Sequence, residues 1–304
     1  MKFGKTIKIF LIDGEPNGRM SCELSNWTGK AYKIPRIKIR DCADRKDLNN
    51  TGIYLLLGKN DEGKDLVYIG ETETILDRLK QQLSKEFWNE TITFISKDDN
   101  LNKAHIKYLE SRLYDIASQT KRYKIENSTS PTQSSISESD IAEMEEFIDN
   151  IKIIVNTLGH KLFEKIRENR ESSEVREITE VKEIKAIKEV KEVKEVKPKQ
   201  NDFFIKNAVG VDGKGMPTSE GFVVFKGSKA RLDDVNIPKS SSEIKEKLIS
   251  EKILVRKGHH YEFTDDYIFS SPTTAAIILV GRSANGYKDW KLKDGTTLRD
   301  FESK

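Results

Sequence analysis

The chain has 304 residues, enough for two domains of ordinary size and a connector. Its formal net charge of +3 is a small difference between 53 basic and 50 acidic side chains, so overall charge does not by itself predict nucleic-acid binding. The two cysteines have no metal-type spacing and favour reduced thiols over a disulfide scaffold. The early apolar stretch at 9–12 is too short for a signal peptide, and no run reaches membrane-span length, so we expect a cytoplasmic protein without membrane association.

The first 48 residues predict a small β element. Residues 6–12 alternate and then become continuously apolar, and the turn-like segment "DGEPNG" follows them. Residues 33–40 predict a second short strand that Pro35 interrupts. We expect this element to pack ahead of the domain that begins near residue 49.

A β-hairpin comes next, with "GIYLLL" and "LVYIG" as its strands and a polar, glycine-containing loop between them. Beyond Gly70 the apolar spacing becomes helical, and Thr72 is a plausible N-cap for that helix. A third strand is predicted at 91–96. The sequence therefore predicts an α+β domain that begins with a short antiparallel sheet.

Two further helices complete the domain predicted at 49–168. One begins near Asn102 and repeats an apolar face through Ile116, and the other runs from about Asp140 to Gly159. The polar segment "ENSTSPTQSSISES" predicts the loop that joins them.

Residues 169–200 are a charged, low-complexity segment in which Val or Ile recurs at every third position from 175 to 196. A helix needs about 3.5 residues per apolar repeat to keep one seam, so a period of three forms no fixed face. We expect a charged spacer and no stable helix pair; a dimerising coiled coil is the alternative.

Residues 201–304 predict a second compact α+β domain. "GFVVFKGSKARL" reads as a strand and turn, and "SSEIKEKLISEKIL" as a serine-capped helix. Ser271 before Pro272 predicts the start of a last helix that Gly281 ends.

Five polar residues around the hairpin are candidates for chemistry. Tyr54 and Tyr68 have equal parity, so an even pairing register places both on one face. Arg78 lies on the following helix, and Gln82 follows it at i+4 with the same expected exposure. Glu110 flanks the apolar face of the next helix, where a half-buried carboxylate would hold a metal or an ion-pair partner. Each of these residues alone has an ordinary structural explanation, such as a strand tyrosine or a surface arginine.

The combination resembles the GIY-YIG nucleases. "GIY" at 52–54, "YIG" at 68–70, then Arg78, Glu110 and Asn127 in order carry the resemblance, which covers about residues 50–130. It implies a small three-stranded antiparallel sheet flanked by helices and phosphodiester hydrolysis with one divalent cation, Mg²⁺ or Mn²⁺, and no small-molecule cofactor.

The resemblance also implies a role for each residue. Glu110 would ligate the cation, and Arg78 would stabilise charge on the phosphate. One tyrosine would orient or deprotonate the attacking water; the choice stays open, with a preference for Tyr54. Asn127 would help to position a catalytic group.

One departure from the family pattern concerns the position one turn after the arginine, where the family often has histidine or tyrosine. Gln82 stands there, and we expect it to contact phosphate or water without transferring a proton. His105 lies across the helix from Glu110 and is expected to pack or cap.

The C-terminal residues resemble a small module of unassigned function found behind such nucleases. "SSPTTAAIILVGRSANGYKDWK" also resembles the RAMA type of domain, which is linked with restriction systems. Arg282, Asn285, Lys288 and Trp290 would then contact phosphate and stack a base; alternatively Trp290 is core and "SANG" a tight turn.

We therefore expect a DNA endonuclease with a DNA-reading or docking domain, active in restriction, defence or repair. A catalytically weak or inactive nucleic-acid-binding protein is the alternative, motivated by Gln82. A nuclease acting on RNA is a third. The sequence does not predict an oligomeric state.

Overall fold

The structure, a computed structural model, describes residues 4–165, 202–206 and 210–303. Within these ranges the chain has a mixed α+β architecture with two sheets and seven α-helices. No helix in this part of the chain is long and apolar enough to cross a membrane. The predicted spacer at 169–200 lies outside the described residues.

The first sheet has seven strands in the spatial order β1-β2-β3-β6-β4-β5-β7. Its neighbouring strands are antiparallel, except that β5 and β7 run parallel. The strands are β1 (Ile7–Leu11), β2 (Met20–Leu24), β3 (Gly29–Pro35), β4 (Gly52–Lys59), β5 (Asp65–Thr72), β6 (Glu90–Ser96) and β7 (Lys124–Ile125).

The prediction of a three-stranded sheet is wrong, and the N-terminal β element that the sequence predicts is continuous with the sheet of the hairpin. Strand β3 pairs with β6 along its whole length, from Gly29 opposite Ser96 to Pro35 opposite Glu90, and β2 and β1 extend the sheet further. An unpaired β6 would expose a row of backbone donors and acceptors, which pairing with β3 removes. The N-terminal strands thus belong to the same sheet as the hairpin.

Helices cover both faces of this sheet. Helix α1 (Ile75–Gln82) and three short 3₁₀ turns between residues 36 and 49 pack on one face, whereas α2 (Lys103–Thr120) and α3 (Glu138–Thr157) pack on the other. The alternation of β4 explains this arrangement, since Tyr54 and Leu56 face the α1 layer and their odd-numbered neighbours face the α2 layer. Strand β4 is therefore buried on both sides.

The helix starts agree only in part with the sequence signals. Asn102 caps α2 by accepting hydrogen bonds from two backbone N–H groups, and Ser271 caps a C-terminal helix by accepting from the Thr274 N–H. Thr72, in contrast, still belongs to β5, and α1 begins at Ile75 because the Thr72 hydroxyl oxygen accepts from the Thr74 N–H and closes a turn first.

The second sheet also has seven strands, in the order β12-β13-β11-β9-β10-β14 with β8 paired to β9. The strands are β8 (Phe203–Lys206), β9 (Asp212–Thr218), β10 (Gly221–Val224), β11 (Lys229–Arg231), β12 (Leu254–Lys257), β13 (His260–Phe263) and β14 (Tyr267–Phe269); the helices are α4 (Lys239–Ser250), α5 (Pro272–Val280), α6 (Gly286–Asp289) and α7 (Leu298–Ser303). The predicted serine cap of α4 is wrong, since Pro238 precedes its first residue and makes no side-chain cap. The mostly buried α5, with its apolar segment from Ala275 to Val280, fills the core of this domain.

Candidate functional site

The two tyrosines lie on one face of the hairpin. Tyr54 is paired with Gly70 and Tyr68 with Leu56, so the phenols are diagonal neighbours across β4 and β5. Their ring centroids are 6.1 Å apart and the ring planes are inclined by 25°. The even register brings the two phenols together on the face that α1 covers.

Gly70 has a physical reason to be glycine. A Cβ atom at this position would overlap the ring and hydroxyl of Tyr54, the residue directly across the strand pair. The missing side chain lets the Tyr54 ring lie across β5 toward Tyr68. Gly70, the last residue of "YIG", therefore leaves the space that the ring of Tyr54, the last residue of "GIY", occupies.

Helix α1 delivers two donors to the Tyr54 hydroxyl. Arg78 donates from Nε at 3.1 Å and Gln82 donates from Nε2 at 3.0 Å. These residues lie one turn apart on the helix, so they reach the same oxygen. The prediction that Gln82 is exposed and contacts nucleic acid is wrong: the side chain is 4% exposed because this hydrogen bond holds it over Tyr54.

The environments of the two phenols differ. Tyr54 is fully buried, burial raises its pKa well above the ordinary value, and its oxygen already accepts two hydrogen bonds. The guanidinium of Arg78 lowers the pKa of Tyr54, but by less than burial raises it. Tyr68, in contrast, is only half-buried. The environment of Tyr54 therefore disfavours the sequence-based preference for this residue as the base.

The free edge of β5 defines the rest of the site. Strand β7 pairs only with Leu66 and Val67, which leaves the following residues of β5 without a neighbouring strand on the side away from β4. The side chain of Asn127 takes the place of a paired strand here. Its carboxamide accepts from the Ile69 N–H at 3.0 Å and donates to the Ile69 carbonyl at 2.7 Å. Asn127 thereby fixes the backbone between Tyr68 and Gly70.

Glu110 reaches the same edge from α2, on the opposite face of the sheet. Its carboxyl is half-buried, and burial together with the charge of Glu71 raises its pKa to about 7. The Glu71 backbone N–H and the Arg78 guanidinium oppose this rise. Tyr68 and Arg78 thus lie on one side of the β5 edge, with Glu110 and Glu71 on the other.

This donor set fits a hard divalent cation held loosely. No group of three or more His, Cys, Asp or Glu side chains in the described ranges forms a metal cage. Mg²⁺ keeps several waters and needs only one or two carboxylates, which Glu110 and the neighbouring Glu71 provide. A cation there would also stabilise the ionised form of a carboxyl whose pKa burial has raised.

His105 takes no part in this arrangement. Its ring lies at the N-terminus of α2, 3.2 Å from the Asn100 carbonyl oxygen and 3.8 Å from a carboxylate oxygen of Asp140. The expectation that it packs or caps agrees with this position.

The predicted contact residues of the C-terminal domain separate into two groups. Trp290 is fully buried, donates from Nε1 to the Pro272 carbonyl at 3.0 Å and packs on Phe222 at 4.5 Å, so the prediction that it stacks a base is wrong. Asn285 caps α6 by accepting from the Lys288 N–H. Arg282 and Lys288 are exposed and remain available to phosphate.

A basic groove near Arg282 escaped the sequence analysis. It is a cavity of about 510 Å³ in the C-terminal domain. Its charged lining comprises four basic side chains and one acidic one: Lys206, Arg282, Lys291, Lys293 and Asp289. The pairing of Phe204 with Lys291, from distant parts of the sequence, brings two sides of this lining together.

Arg36 joins the two domains beside α1. Its guanidinium is 4% exposed and bonded at 2.9–3.0 Å to Glu302, which is equally buried. The same group lies over the rings of Trp88 and Tyr287, 4.7 and 4.8 Å from their centroids. The remaining donors of Arg36 bind the carbonyl oxygens of Leu83 and Lys85, directly after α1.

Asp61 and Glu86 extend this contact between the domains. Asp61, in the hairpin loop, accepts from the hydroxyls of Ser270 and Thr274 at 2.6 and 2.5 Å. Glu86 accepts from the Thr273 hydroxyl at 3.0 Å and pairs with Arg299 at 3.3 Å. The C-terminal domain therefore contacts both the hairpin loop and the segment between α1 and β6.

Comparison with known proteins identifies one family. A family model described as "Domain of unknown function (DUF4357)" matches residues 203–302. No curated protein and no solved structure matches the chain. The match covers most of the C-terminal domain and carries no activity with it.

Proposed function

We propose that the chain is a divalent-cation-dependent endonuclease of the GIY-YIG type that hydrolyses DNA. The observation that carries the proposal is the convergence of Tyr54, Tyr68, Arg78 and Glu110, from two strands and two helices, at the free edge of β5. Phosphodiester hydrolysis needs a proton acceptor, a cation ligand and a donor fork for phosphate oxygens, and residue types suited to each lie at the two sides of this one strand edge.

The chain's own residues divide the work. Tyr68 orients the attacking water and, once its own hydroxyl proton has passed to solvent, accepts a proton from that water. Tyr54 accepts hydrogen bonds from Arg78 and Gln82 and so keeps both side chains in place. Arg78 donates to Tyr54 from Nε and to Gln81 from Nη1, and its Nη2 group would donate to a phosphate oxygen. Glu110, with Glu71 beside it, would hold a divalent cation, which supplies charge neutralisation at the phosphate when bound.

The C-terminal domain would contact the flanking DNA. The basic groove around Lys291 and Lys293, with Arg282 at its rim, suits phosphate contacts, and such contacts need no base recognition. The resemblance to restriction-linked modules supports a role in restriction or defence. DNA is preferred to RNA on that basis alone.

The second candidate is a nucleic-acid-binding protein that cleaves slowly or not at all. Gln82 favours it, because a buried carboxamide occupies the place where the family often has a group that can transfer a proton. Both candidates bind DNA, so binding does not separate them. Only turnover does.

A plasmid-nicking assay with Mg²⁺ tests the proposal. We expect the wild-type chain to nick supercoiled DNA and EDTA to abolish the reaction. Glu110→Gln should remove cleavage, whereas Asp115→Asn, an exposed acidic residue on the same helix, should leave it unchanged. Wild-type protein that binds DNA and fails to nick it with Mg²⁺ or Mn²⁺ would favour the binding protein.

A further inference from the structure

Lys85, which the sequence analysis did not single out, lies beside the tyrosine pair. Its Nζ is 3.6 Å from the centroid of the Tyr68 ring, and its side chain is half-buried. An ammonium at this distance from a phenol ring gains a modest electrostatic attraction. Lys85 thus places a second positive charge next to the side chain that we assign as proton acceptor.

This ammonium forms no ion pair with a carboxylate in the described part of the chain. Lys80, on the exposed side of α1, differs in this respect because it lies 3.9 Å from Asp77. Burial and the positive charge of Arg78 lower the pKa of Lys85, and Glu126 offsets this only in part. Two neighbouring cations repel each other, and an anion bound between them would relieve the repulsion.

The backbone around Lys85 is fixed from both domains. Its N–H donates to the Gln82 carbonyl at 3.0 Å, and its own carbonyl oxygen accepts from Arg36 at 2.5 Å. Arg36 is in turn bonded to Glu302 of the C-terminal domain. A side chain carried on such a backbone is preorganised, which is the condition for strong stabilisation of a developing charge.

We propose that Lys85 is a phosphate-binding residue that, together with Arg78, contacts a non-bridging oxygen of the DNA strand at the tyrosine pair. The inference rests on the proposed nuclease function. It gives the site the positive charge that the neutral Gln82 does not supply. The bound phosphate would occupy the space between the two cations, above the Tyr68 ring.

Three variants of the full-length chain test the proposal by cleavage of plasmid DNA. Lys85→Met keeps the length of the side chain without its charge, and we expect kcat/KM to fall by about 10²-fold. Lys85→Arg keeps the charge and should retain most of the activity. Lys80→Met is the matched control and should behave like the wild type. Cleavage by Lys85→Met at the wild-type rate would overturn the proposal.

A second readout does not depend on turnover. A lysine-acetylating reagent is applied in EDTA with and without a short DNA duplex, and the modified positions are read by mass spectrometry. DNA should protect Lys85 severalfold while Lys80 stays unchanged; equal modification of Lys85 in both samples overturns the proposal. If the wild type fails to cleave with any divalent cation, the nuclease function fails, and protection of Lys85 alone then decides whether it binds phosphate.

Discussion

Replacing each tyrosine with phenylalanine should have opposite consequences for stability and for cleavage. In Tyr54→Phe the hydroxyl that accepts from Gln82 disappears, and the Gln82 amide is left buried without that partner. An unsatisfied buried donor costs about 1–3 kcal/mol of the free energy of unfolding. Arg78 is half-exposed and can turn its Nε–H to water, so losing its bond to Tyr54 adds little to the destabilisation. Tyr68→Phe removes a hydroxyl from a half-buried side chain and should change stability by less than about 0.5 kcal/mol.

Cleavage should follow the reverse order. Loss of a general base costs about 10²–10⁴-fold in rate, which we assign to Tyr68→Phe. Tyr54→Phe should reduce the cleavage rate less, because it only removes one hydrogen bond that positions Arg78. Urea unfolding with an unchanged m-value measures the stability terms, and plasmid nicking measures the rates.

The double variant Tyr54→Phe with Gln82→Met is the control for the stability argument. It removes the donor together with the acceptor, so it should recover part of the loss seen in Tyr54→Phe alone. The reasoning is refuted if Tyr54→Phe is as stable as the wild type. The assignment of the base is refuted if Tyr54→Phe cleaves DNA more slowly than Tyr68→Phe.

Three further perturbations address the cation ligand, the domain contact and the groove. In EDTA the pKa of Glu110 in the folded state, about 7, exceeds the ordinary 4.5, so the free energy of unfolding of the wild type should fall as the pH rises from 4.5 to 7. We expect a fall on the order of 1–2 kcal/mol, because partial solvent exposure makes the effect smaller than for a fully buried group. Glu110→Gln should lack this dependence on pH. Arg36→Met leaves Glu302 buried without its partner and should cost about 3–5 kcal/mol in urea unfolding, whereas a loss below about 1 kcal/mol would contradict the buried ion pair. Reversing the charges of Lys291 and Lys293 should weaken binding of a DNA duplex and lower the salt slope by about two, and an unchanged slope would remove the groove from the DNA path.

The sequence alone determined the local features of the site. Equal parity predicts that Tyr54 and Tyr68 share a face, since side chains alternate strictly along a strand. Local capping chemistry predicts the starts of α2 at Asn102 and α5 at Ser271, because those hydrogen bonds involve residues two or three positions away. Such features need no knowledge of the rest of the chain.

Only the tertiary structure decided which polar residues face solvent. Gln82 and Trp290 are residue types that often contact nucleic acid, yet both are buried here. Gln82 donates to the Tyr54 hydroxyl and Trp290 to the Pro272 carbonyl, and each of these partners is distant in sequence. The extension of the sheet by β3 and the closing of the β5 edge by Asn127 likewise depend on pairs separated by tens of residues.

The same reason explains why Lys85 and Arg36 carry no signal in the sequence. Lys85 follows the end of α1, where helical periodicity no longer fixes a direction, and Glu302 lies in the last helix of the chain. Their places depend on the packing of one domain against the other. The periodicity of a sequence reports the geometry of its own segment, whereas such contacts arise only when distant segments bury a shared surface.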